Sequence, residues 1–379
     1  MKIGIDIRNI GKQRTGSEVV VLELTKNIIK LDSENEYILF TDTDDQEILA
    51  AVRGKLEIKN DRKNVKIVSL KAKNKFIWAT WSVWRYLRKN GIDVYHTEYI
   101  LPFFIPKNIK TITHIHDVSF VAYKKFIKWS DLLFLSLLIP RSIKRADKIV
   151  AVSEFTKDEI VKYYKVDSRK IEIVYNAVNN SDEEYGKQKE REIRSKYALP
   201  EKYILYIGTL QPRKNVARLI EAYAKIKNQI PEVKLVIAGN REAHNFDQKI
   251  NDVIYEGGLE SDVIFTGFVD EEDKLLVYEM AHVFAYLSFY EGFGIPLLEA
   301  MTQGVPILSS DIKPLREVCS EACVFSDPSN LDEIVDRLYN ICMDDQLRLR
   351  LVNSGKERVS FFSWKVSAKK MLEIYKNIK

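Results

Sequence analysis

The stretch from His282 to Ser310 reads HVFAYLSFYEGFGIPLLEAMTQGVPILSS, and the order of its residue types indicates the fold class. The apolar run HVFAYLSFY predicts a β-strand that is followed directly by Glu291. Gly292 and Gly294 permit a tight turn, and the segment from about Ile295 to Gln303 then predicts a helix. A glycine ends this helix, and PILSS predicts another strand. Strand, turn, helix and strand in this order are typical of a βαβ unit with parallel strands.

The same alternation occurs in two blocks that cover most of the chain. Short runs rich in β-branched and aromatic residues predict the strands, and mostly amphipathic segments separate them. The predicted strands are KIGIDI, EYILFT, VKIVSL, DVYHT, IKTITHI, KIVAVS and IEIVYNAV, then KYILYIGT, VKLVIAG, VIFTGF, HVFAYLS, PILSS and ACVFS. We therefore predict an α/β protein of two doubly wound domains with a deep cleft between them. Ligands of such sheets bind outside the carboxyl ends of the strands, so we expect the functional residues there.

The length of 379 residues suits two domains of ordinary size. We predict an N-terminal domain over residues 1–178 and a linker over the polar, charged residues 179–199. A C-terminal domain would occupy residues 200–360. The end of the chain, residues 361–379, predicts a helix that packs back toward the N-terminal domain.

Composition narrows the class of protein. The net charge of +5 and the pI near 8.7 suit an anionic small ligand or an anionic membrane surface, and they are too weakly basic to indicate nucleic-acid binding. Three cysteines without a CxxC pair predict buried thiols in a reducing cytosol rather than a disulfide framework or a zinc site. The N-terminus lacks the apolar core of a signal peptide, and no apolar run approaches about 18 residues, so we predict a cytoplasmic protein without a membrane span.

Two cations stand at the carboxyl end of a predicted strand. The run KYILYIGT ends near Gly208 and the next helix is predicted to begin near Pro212, so Arg213 and Lys214 would lie in its first turn. Cations there oppose the helix dipole, which favours anions at its N-terminus. One interpretation is that both side chains are solvated and that their unfavourable interaction with the helix dipole is small. We favour a bound anion that both cations and the helix end serve, because the pair also lies at a strand end.

Two acids flank the glycine turn, and together they introduce a family resemblance. Glu299 lies about one turn into the predicted helix, where an acid often serves only as a partner of the helix dipole. That interpretation explains neither Glu291 nor the glycines. The stretch EGFGIPLLE resembles the signature of glycosyltransferase family 4, the retaining nucleotide-sugar glycosyltransferases of GT-B fold. GTLQPRKN and HDVSF resemble two further signatures, and FTGFVDEEDKLLVYEMAHVFAYLS and FSWKVSAKK also fit, so the resemblance covers nearly the whole chain.

The resemblance implies roles for five side chains. Arg213 and Lys214 would neutralise the diphosphate of the donor. Glu291 would hold hydroxyls of the donor sugar, and Glu299 would bind the ribose hydroxyls, as acids do in Rossmann-like sites. His116 would reach the donor sugar from the opposite domain.

The resemblance also implies a set of backbone contacts to the donor. The turn before the helix would cradle the diphosphate, two glycine-containing turns would border the nucleotide base, and an N-terminal glycine would face the phosphates. The residues implied in donor binding are Gly16, Gly208, Gly239, Gly267, Phe268, Val269, Phe293, Gly294 and Ile295. The family commonly has a more glycine-rich loop at the position of GKQRTGSE.

The resemblance implies a reaction that needs no metal and no cofactor beyond the donor. Breaking the bond from an anomeric carbon to a diphosphate places negative charge on the leaving group, which the two cations and the helix end would stabilise. Asp42 and Asp44 in TDTDD match a short metal-binding pattern, but acids are commonplace in turns that follow strands. Retention requires either a covalent intermediate, for which Glu291 is the obvious nucleophile, or attack on the same face of the sugar, which the family resemblance favours.

Other residues are interpreted mainly as structural. His114, His244 and His282 are taken as structural histidines, and Ser153 is predicted to cap a helix. Trp78, Trp81 and Trp84 recur at intervals of three with basic residues on both sides. Such a row is more often part of a core, yet the basic flanks also suit an interfacial helix. We therefore hypothesise that the N-terminal domain contacts an anionic membrane.

The donor and the acceptor are the least specified part of the prediction. The similarity of GIDIR and HDVSF favours a mannosyltransferase of bacterial surface polysaccharide synthesis that uses GDP-mannose and a glycan or lipid-linked acceptor, at the inner face of the membrane. A UDP-sugar donor is an alternative. A nucleotide-sugar epimerase of the same fold and a non-catalytic nucleotide-sugar binding module are further alternatives. No nucleic-acid partner is predicted.

Overall fold

The computed structural model describes residues 1–11, 16–59, 61–72, 77–123, 129–179, 185–243 and 245–378. The chain divides into two compact units. Unit 1 consists of Met1–Ala122, Lys128–Ala177 and Ser363–Lys379, and unit 2 consists of Tyr123–Ile127 and Val178–Phe362. His244 and residues 124–128 lie outside the described residues.

Unit 1 is built on a sheet of seven parallel strands in the spatial order β3-β2-β1-β4-β5-β6-β7. Its strands are β1 (Lys2–Asp6), β2 (Glu36–Thr41), β3 (Val65–Ser69), β4 (Val94–Glu98), β5 (Lys110–Ile115), β6 (Lys148–Ala151) and β7 (Ile171–Ile173). Most of these strands read as continuous apolar runs, because helices cover both faces of a parallel sheet.

The helices of unit 1 lie between the strands, with one contribution from the end of the chain. They are α1 (Gly16–Leu31), α2 (Gln46–Lys55), α3 (Val83–Lys89), α4 (Ser119–Ala122), α5 (Trp129–Arg145) and α6 (Glu154–Tyr164). A π-helical turn, Trp78–Ser82, precedes α3. The Oγ atom of Ser153 accepts a 3.0 Å hydrogen bond from the Thr156 N–H, which confirms the predicted cap of α6.

Unit 2 is built on six parallel strands in the order β10-β9-β8-β11-β12-β13. Its strands are β8 (Lys202–Ile207), β9 (Val233–Ala238), β10 (Val263–Gly267), β11 (Val283–Tyr286), β12 (Ile307–Ser310) and β13 (Val324–Ser326). Its helices are α7 (Lys187–Tyr197), α8 (Val216–Ile226), α9 (Lys249–Gly257), α10 (Glu271–Glu279), α11 (Ile295–Thr302), α12 (Lys313–Cys319), α13 (Leu331–Met343) and α14 (Asp345–Val359). The prediction of two doubly wound α/β units is confirmed.

The last helix, α15 (Trp364–Asn377), belongs to unit 1 and packs against α1. Two hydrogen bonds hold it there. The hydroxyl of Tyr375 lies 2.8 Å from Nδ1 of His96 on β4, and the hydroxyl of Ser367 donates to the Tyr175 carbonyl oxygen at 2.6 Å. The chain therefore returns to its first unit after it has completed the second.

Two predicted boundaries near the functional motifs are wrong. The helix predicted from Pro212 begins at Val216, because Pro212–Lys214 form a 3₁₀ turn and Asn215 adopts the left-handed conformation with φ of 59°. Asparagine is one of the few residues that tolerate this conformation. Strand β11 ends at Tyr286, before the end of the predicted run HVFAYLS and well before Tyr290, and an irregular loop leads from there to α11.

The aromatic row near α3 is partly buried and partly exposed, whereas the cysteines are all buried. Trp78 is buried, whereas 56% of Trp81 is exposed. The three cysteines are buried free thiols, as predicted. Within the described part of the chain, no helix combines the length and the apolar composition that a bilayer crossing needs.

Candidate active site

Strands β8 and β11 are neighbours in the sheet of unit 2, so the segments that follow them meet at its carboxyl edge. The 3₁₀ turn that carries Arg213 and Lys214 follows β8, and the loop that carries Glu291 follows β11. The Phe289 N–H donates a 2.8 Å hydrogen bond to the Arg213 carbonyl oxygen. This backbone bond fixes the two segments against each other.

Lys214, Arg213 and Glu291 form a largely buried charge cluster. Nζ of Lys214 lies 2.5 Å from Oε1 of Glu291, and Nη1 of Arg213 lies 3.5 Å from Oε2 of Glu291. Nη1 of Arg213 also donates to the Tyr290 carbonyl oxygen at 3.1 Å. Only 8% of Lys214 and 7% of Glu291 are exposed. Two cations against one carboxylate give the cluster a net positive charge, which suits an anionic ligand.

Tyr286 connects the two charged groups. Its hydroxyl accepts a 2.8 Å hydrogen bond from Nζ of Lys214 and donates one of 2.8 Å to Oε1 of Glu291. Burial and the charge of Glu291 raise the pKa of Tyr286, so its hydroxyl keeps its proton at neutral pH.

Glu291 is ionised at neutral pH. Burial alone would raise the pKa of its carboxyl group, but the charges of Lys214 and Arg213 outweigh that effect and lower the pKa to about 2. A group with such a pKa cannot supply a proton near pH 7. Glu291 is therefore suited to accept hydrogen bonds from hydroxyl groups and not to act as a general acid.

The loop from β11 enters helix α11 through a glycine that no other residue could easily replace. Gly294 has φ of 112°, and a Cβ atom built on it would lie 2.8 Å from Cδ2 of Leu315. Phe293 beside it is buried, and Ile295 begins the helix. Backbone N–H groups at a helix N-terminus favour phosphate groups.

Gly208 and Gly239 follow neighbouring strands, and their backbones nearly touch. A Cβ atom built on Gly239 would lie 2.4 Å from the Gly208 carbonyl oxygen, so position 239 requires glycine. At the end of the next strand, Gly267 has φ of 70°, Phe268 is 45% exposed and Val269 is buried. The glycines predicted to border the donor thus lie along the carboxyl edge of this sheet.

Glu299 on α11 is held by two side chains of α10. Nζ of Lys274 lies 2.7 Å from Oε1 of Glu299, and the Tyr278 hydroxyl donates to Oε2 at 3.0 Å. Lys274 also lies 2.7 Å from Oε1 of Glu271. Burial lowers the pKa of Lys274, but the charges of Glu299 and Glu271 outweigh it and raise the pKa above its ordinary value. Both oxygens of Glu299 therefore have a fixed orientation.

His116 lies in unit 1 after β5, beside an acid from the neighbouring strand. Nε2 of His116 forms a short hydrogen bond with Oε1 of Glu98, and Oε2 of Glu98 accepts one from the Asn9 side chain. The ring of His116 stacks on that of His114 with 4.8 Å between their centroids. Glu98 therefore fixes the ring of His116.

Gly16 is the first residue of α1 in unit 1 and is exposed. A Cβ atom built on it would meet no atom within 4 Å, so the described part of the structure sets no steric requirement for glycine there. Residues 12–15 of the predicted phosphate-facing loop lie outside the described residues.

Four partners of the predicted site residues were not found from the sequence: Tyr286, Lys274, Tyr278 and Glu98. A signal existed for three of them. Positions 274 and 278 are four apart and share one face of a helix. Glu98 ends β4, which pairs with β5, so its position at the same edge as His116 follows from the strand order. Tyr286 lies inside the apolar run HVFAYLSFY of the sequence and gave no signal, although it is the last residue of β11.

Asp42 and Asp44 belong to a turn whose acids have local partners. Asp44 pairs with Lys71, and Asp45 next to it accepts hydrogen bonds from the first N–H groups of α2, at 2.9 Å from Glu47 and 3.2 Å from Ile48. Over the residues that the structure describes, no group of three or more His, Cys, Asp and Glu side chains could hold a metal ion.

Each half of the chain matches a family model of glycosyltransferases. The model described as "Glycosyl transferases group 1" matches residues 188–358, and the model described as "Glycosyltransferase Family 4" matches residues 14–182. The O-antigen chain mannosyltransferase RfbU of Salmonella typhimurium is 30% identical over 274 residues, 70% of each chain. The O-antigen chain mannosyltransferase B of Escherichia coli is 28% identical over 277 residues, 72% of each chain.

Structural comparison agrees with this result at the level of the fold. Sucrose-phosphate synthase from Thermosynechococcus elongatus superimposes with a TM-score of 0.77 at 19% identity, over 100% of this chain and 99% of the other. HepE from Anabaena in complex with UDP-glucose gives 0.75 at 15% identity, over 99% of each chain. The predicted GT-B class with two Rossmann-like domains is confirmed. The chain belongs to glycosyltransferase family 4 and is a glycosyltransferase.

Proposed function

We propose that the protein is a retaining mannosyltransferase that moves mannose from GDP-mannose to a glycan or lipid-linked acceptor in the synthesis of a surface polysaccharide. The buried cluster of Lys214, Arg213 and Glu291 is the observation that carries this proposal. Its net positive charge suits the diphosphate, and its ionised carboxylate suits sugar hydroxyls. The choice of mannose rests on the O-antigen mannosyltransferases among the relatives.

In this proposal the site residues of unit 2 contact different parts of the donor. Arg213 and Lys214 bind the diphosphate, together with the backbone N–H groups around Gly294 and Ile295 at the start of α11. Glu291 accepts hydrogen bonds from sugar hydroxyls. Glu299, oriented by α10, accepts hydrogen bonds from the ribose hydroxyls.

The proposed reaction needs no metal ion. The bond between the anomeric carbon and the diphosphate oxygen breaks, and negative charge develops on that oxygen, where Arg213 and Lys214 stabilise it. The acceptor hydroxyl attacks the same face of the sugar, and its proton passes to the departing phosphate oxygen. The ring of His116 is held by Glu98, and we propose that it contacts the donor sugar. The products are the glycoside with retained configuration and GDP.

The proposed place of the reaction is the cytoplasmic face of a membrane. A lipid-linked acceptor has its sugar at the bilayer surface, and a basic protein with exposed tryptophan suits an anionic surface. The protein would therefore be a peripheral and not a spanning component.

The proposal is tested by the choice of donor and by the product. Thermal shift with GDP, UDP and ADP identifies the base, and we expect the largest stabilisation with GDP. Incubation of GDP-mannose with a mannose-terminated acceptor, with and without EDTA, should give the same yield of an α-mannoside by NMR. A β-mannoside would contradict retention, and loss of activity with EDTA would contradict metal independence.

The same assay separates the alternatives. Stabilisation of the protein by UDP, together with transfer of a hexose from a UDP-sugar, would contradict the proposed donor. Conversion of one nucleotide sugar into another without a glycoside would indicate an epimerase. Donor binding without turnover would indicate a binding module.

A further inference from the structure

Unit 1 contains an open pocket of about 470 Å³ on the side of α3 and the end of α5. Three arginines and three aromatic residues dominate its lining, and we call it the arginine–aromatic pocket: Arg88, Arg141, Arg145, Trp84, Phe103 and Phe104. None of these residues has a place in the donor site. The combination of cations with aromatic rings suits a ligand that is both anionic and apolar.

The three guanidinium groups of the pocket form no ion pair with a described carboxylate, and Asp147 acts on Arg145 only as a neighbouring charge. Arg141 Nη2 and Arg145 Nη1 donate to the Phe103 carbonyl oxygen at 2.8 and 2.6 Å, and Arg145 Nη2 donates to the Ile105 carbonyl oxygen at 2.9 Å. Among the described residues, no carboxylate lies within 4 Å of Arg88, Arg141 or Arg145. Burial and the neighbouring charge of Arg141 lower the pKa of Arg145. An anion between the two guanidinium groups would remove their repulsion.

The rim of the pocket exposes large apolar side chains to water. Phe104 is 58% exposed and Trp81, which lies against Trp84 with 5.1 Å between ring centroids, is 56% exposed. Trp84 in turn meets Phe104 edge to face at 6.2 Å. Leu137, 64% exposed, precedes Arg141 by one turn of α5 and lies on the same helix face. Burying such side chains gains free energy in proportion to the apolar area removed from water.

We propose that the arginine–aromatic pocket binds the phosphate headgroup of an anionic bilayer lipid while Trp81, Phe104 and Leu137 enter the membrane interface. The positive charge of the pocket favours an anionic ligand, and the exposed apolar rim favours a bilayer as the source of that ligand. A free phosphate ion would leave that rim in water. The tilted and edge-to-face rings do not form the parallel stacking faces that single-stranded nucleic acid uses. The proposed function already includes contact with a membrane. The present proposal rests on that function and names the lipid phosphate as the group that unit 1 binds.

The test measures binding of the full chain to vesicles by co-sedimentation. Vesicles of phosphatidylcholine alone are compared with vesicles that also contain phosphatidylglycerol, and binding is expected only to the latter. The double substitution Arg88→Gln/Arg141→Gln should weaken it roughly 30-fold, because each basic residue near an anionic surface contributes about 1 kcal/mol. Trp81→Ser/Phe104→Ser should also weaken it.

Matched controls remove the same number of charges, or two exposed large apolar side chains, elsewhere. Arg191→Gln/Arg350→Gln and Tyr255→Ser/Leu349→Ser change exposed residues of unit 2, and they should bind vesicles as the unaltered protein does. Thermal unfolding checks that each variant folds. If the arginine variant does not fold, vesicle binding by the aromatic variant alone tests the proposal.

Three results would overturn the proposal. The first is equal vesicle binding by the pocket variants and their controls. The second is complete displacement from vesicles by inorganic phosphate with a matching thermal shift, which would indicate a site for the free ion. The third is tight binding of an oligouridine that the pocket variants lose. Transfer to a soluble acceptor, measured in parallel, separates failure of this proposal from failure of the proposed function.

Discussion

The ammonium group of Lys214 lies 2.5 Å from a carboxylate oxygen of Glu291, although 77 positions separate them in the chain. Both groups are buried, and Tyr286 hydrogen-bonds to each. A buried ion pair gains stability only when its hydrogen bonds compensate for lost hydration. Here the pair also belongs to a site with a net positive charge, because Arg213 adds a second cation beside the single carboxylate.

Replacing Lys214 by methionine should reduce transfer about 10²–10³-fold, because the leaving diphosphate loses one positive donor. Affinity for the nucleoside diphosphate should fall as well. Steady-state kinetics and calorimetric titration measure the two effects. Lys249→Met, at an exposed position of α9, is the matched control. Normal kinetics in Lys214→Met would remove this lysine from the diphosphate site.

Glu291→Gln should separate sugar recognition from diphosphate binding. The substitution keeps the shape of the side chain and removes its charge, so the cluster becomes more positive. We expect transfer to fall strongly while affinity for the nucleoside diphosphate is kept or rises. Glu299→Gln should instead weaken nucleotide binding.

Comparing nucleotide affinity and transfer between Glu291→Gln and Glu299→Gln tests whether the two glutamates bind different parts of the donor. Glu256→Gln, an exposed residue of α9, controls for the loss of one carboxylate. If Glu291→Gln weakened nucleotide binding as much as transfer, Glu291 would not be specific for the sugar.

The sequence predicted the two sheets correctly because parallel strands are apolar on both faces and stand out as short β-branched runs. It also placed Glu291, Gly294 and Glu299 correctly relative to α11, since glycine and proline define that turn locally. The environment of Lys214 could not be predicted, because its ion pair depends on the register of β8 against β11. The helix-dipole argument for Arg213 and Lys214 fails for a local reason: the left-handed conformation of Asn215 keeps both cations outside α8.

Lys274 is predicted to act as a positioning residue for Glu299. It lies 2.7 Å from that carboxylate and occupies no place in the proposed donor contacts. Lys274→Met should raise KM for the donor several-fold with a smaller change in kcat, because the carboxylate loses the partner that orients it. Lys274→Arg should restore part of the loss.

A deoxyribose analogue distinguishes positioning from general destabilisation. Unaltered protein should bind GDP more tightly than 2′,3′-dideoxy-GDP, and this preference should shrink in Lys274→Met. Tyr278→Phe, which removes the other hydrogen bond to Glu299, should shrink it less. An unchanged preference in both variants would show that the orientation of Glu299 does not govern ribose binding.

Two stacked histidines of unit 1 should make its stability depend on pH. Burial lowers the pKa of His96 to about 4, and burial together with the charges of His116 and His96 lowers the pKa of His114 well below 6.5. Between pH 6.5 and 4 the unfolded chain therefore binds more protons than the folded unit. The stabilisation is complete above pH 6.5 and falls with pH, by up to about 1.4 kcal/mol per pH unit for each histidine.

Tryptophan fluorescence isolates this effect, because all five tryptophans of the chain lie in segments of unit 1. Urea unfolding at pH 7 and pH 5 should give a clearly lower free energy of unfolding at pH 5. His96→Asn, which can keep a hydrogen bond to Tyr375, combined with His114→Leu should flatten the dependence. The Nε2 atom of His114 is buried without a hydrogen-bond partner in the described structure, so leucine removes no such bond there. An equally steep fall in the double variant would mean that other groups titrate in this window.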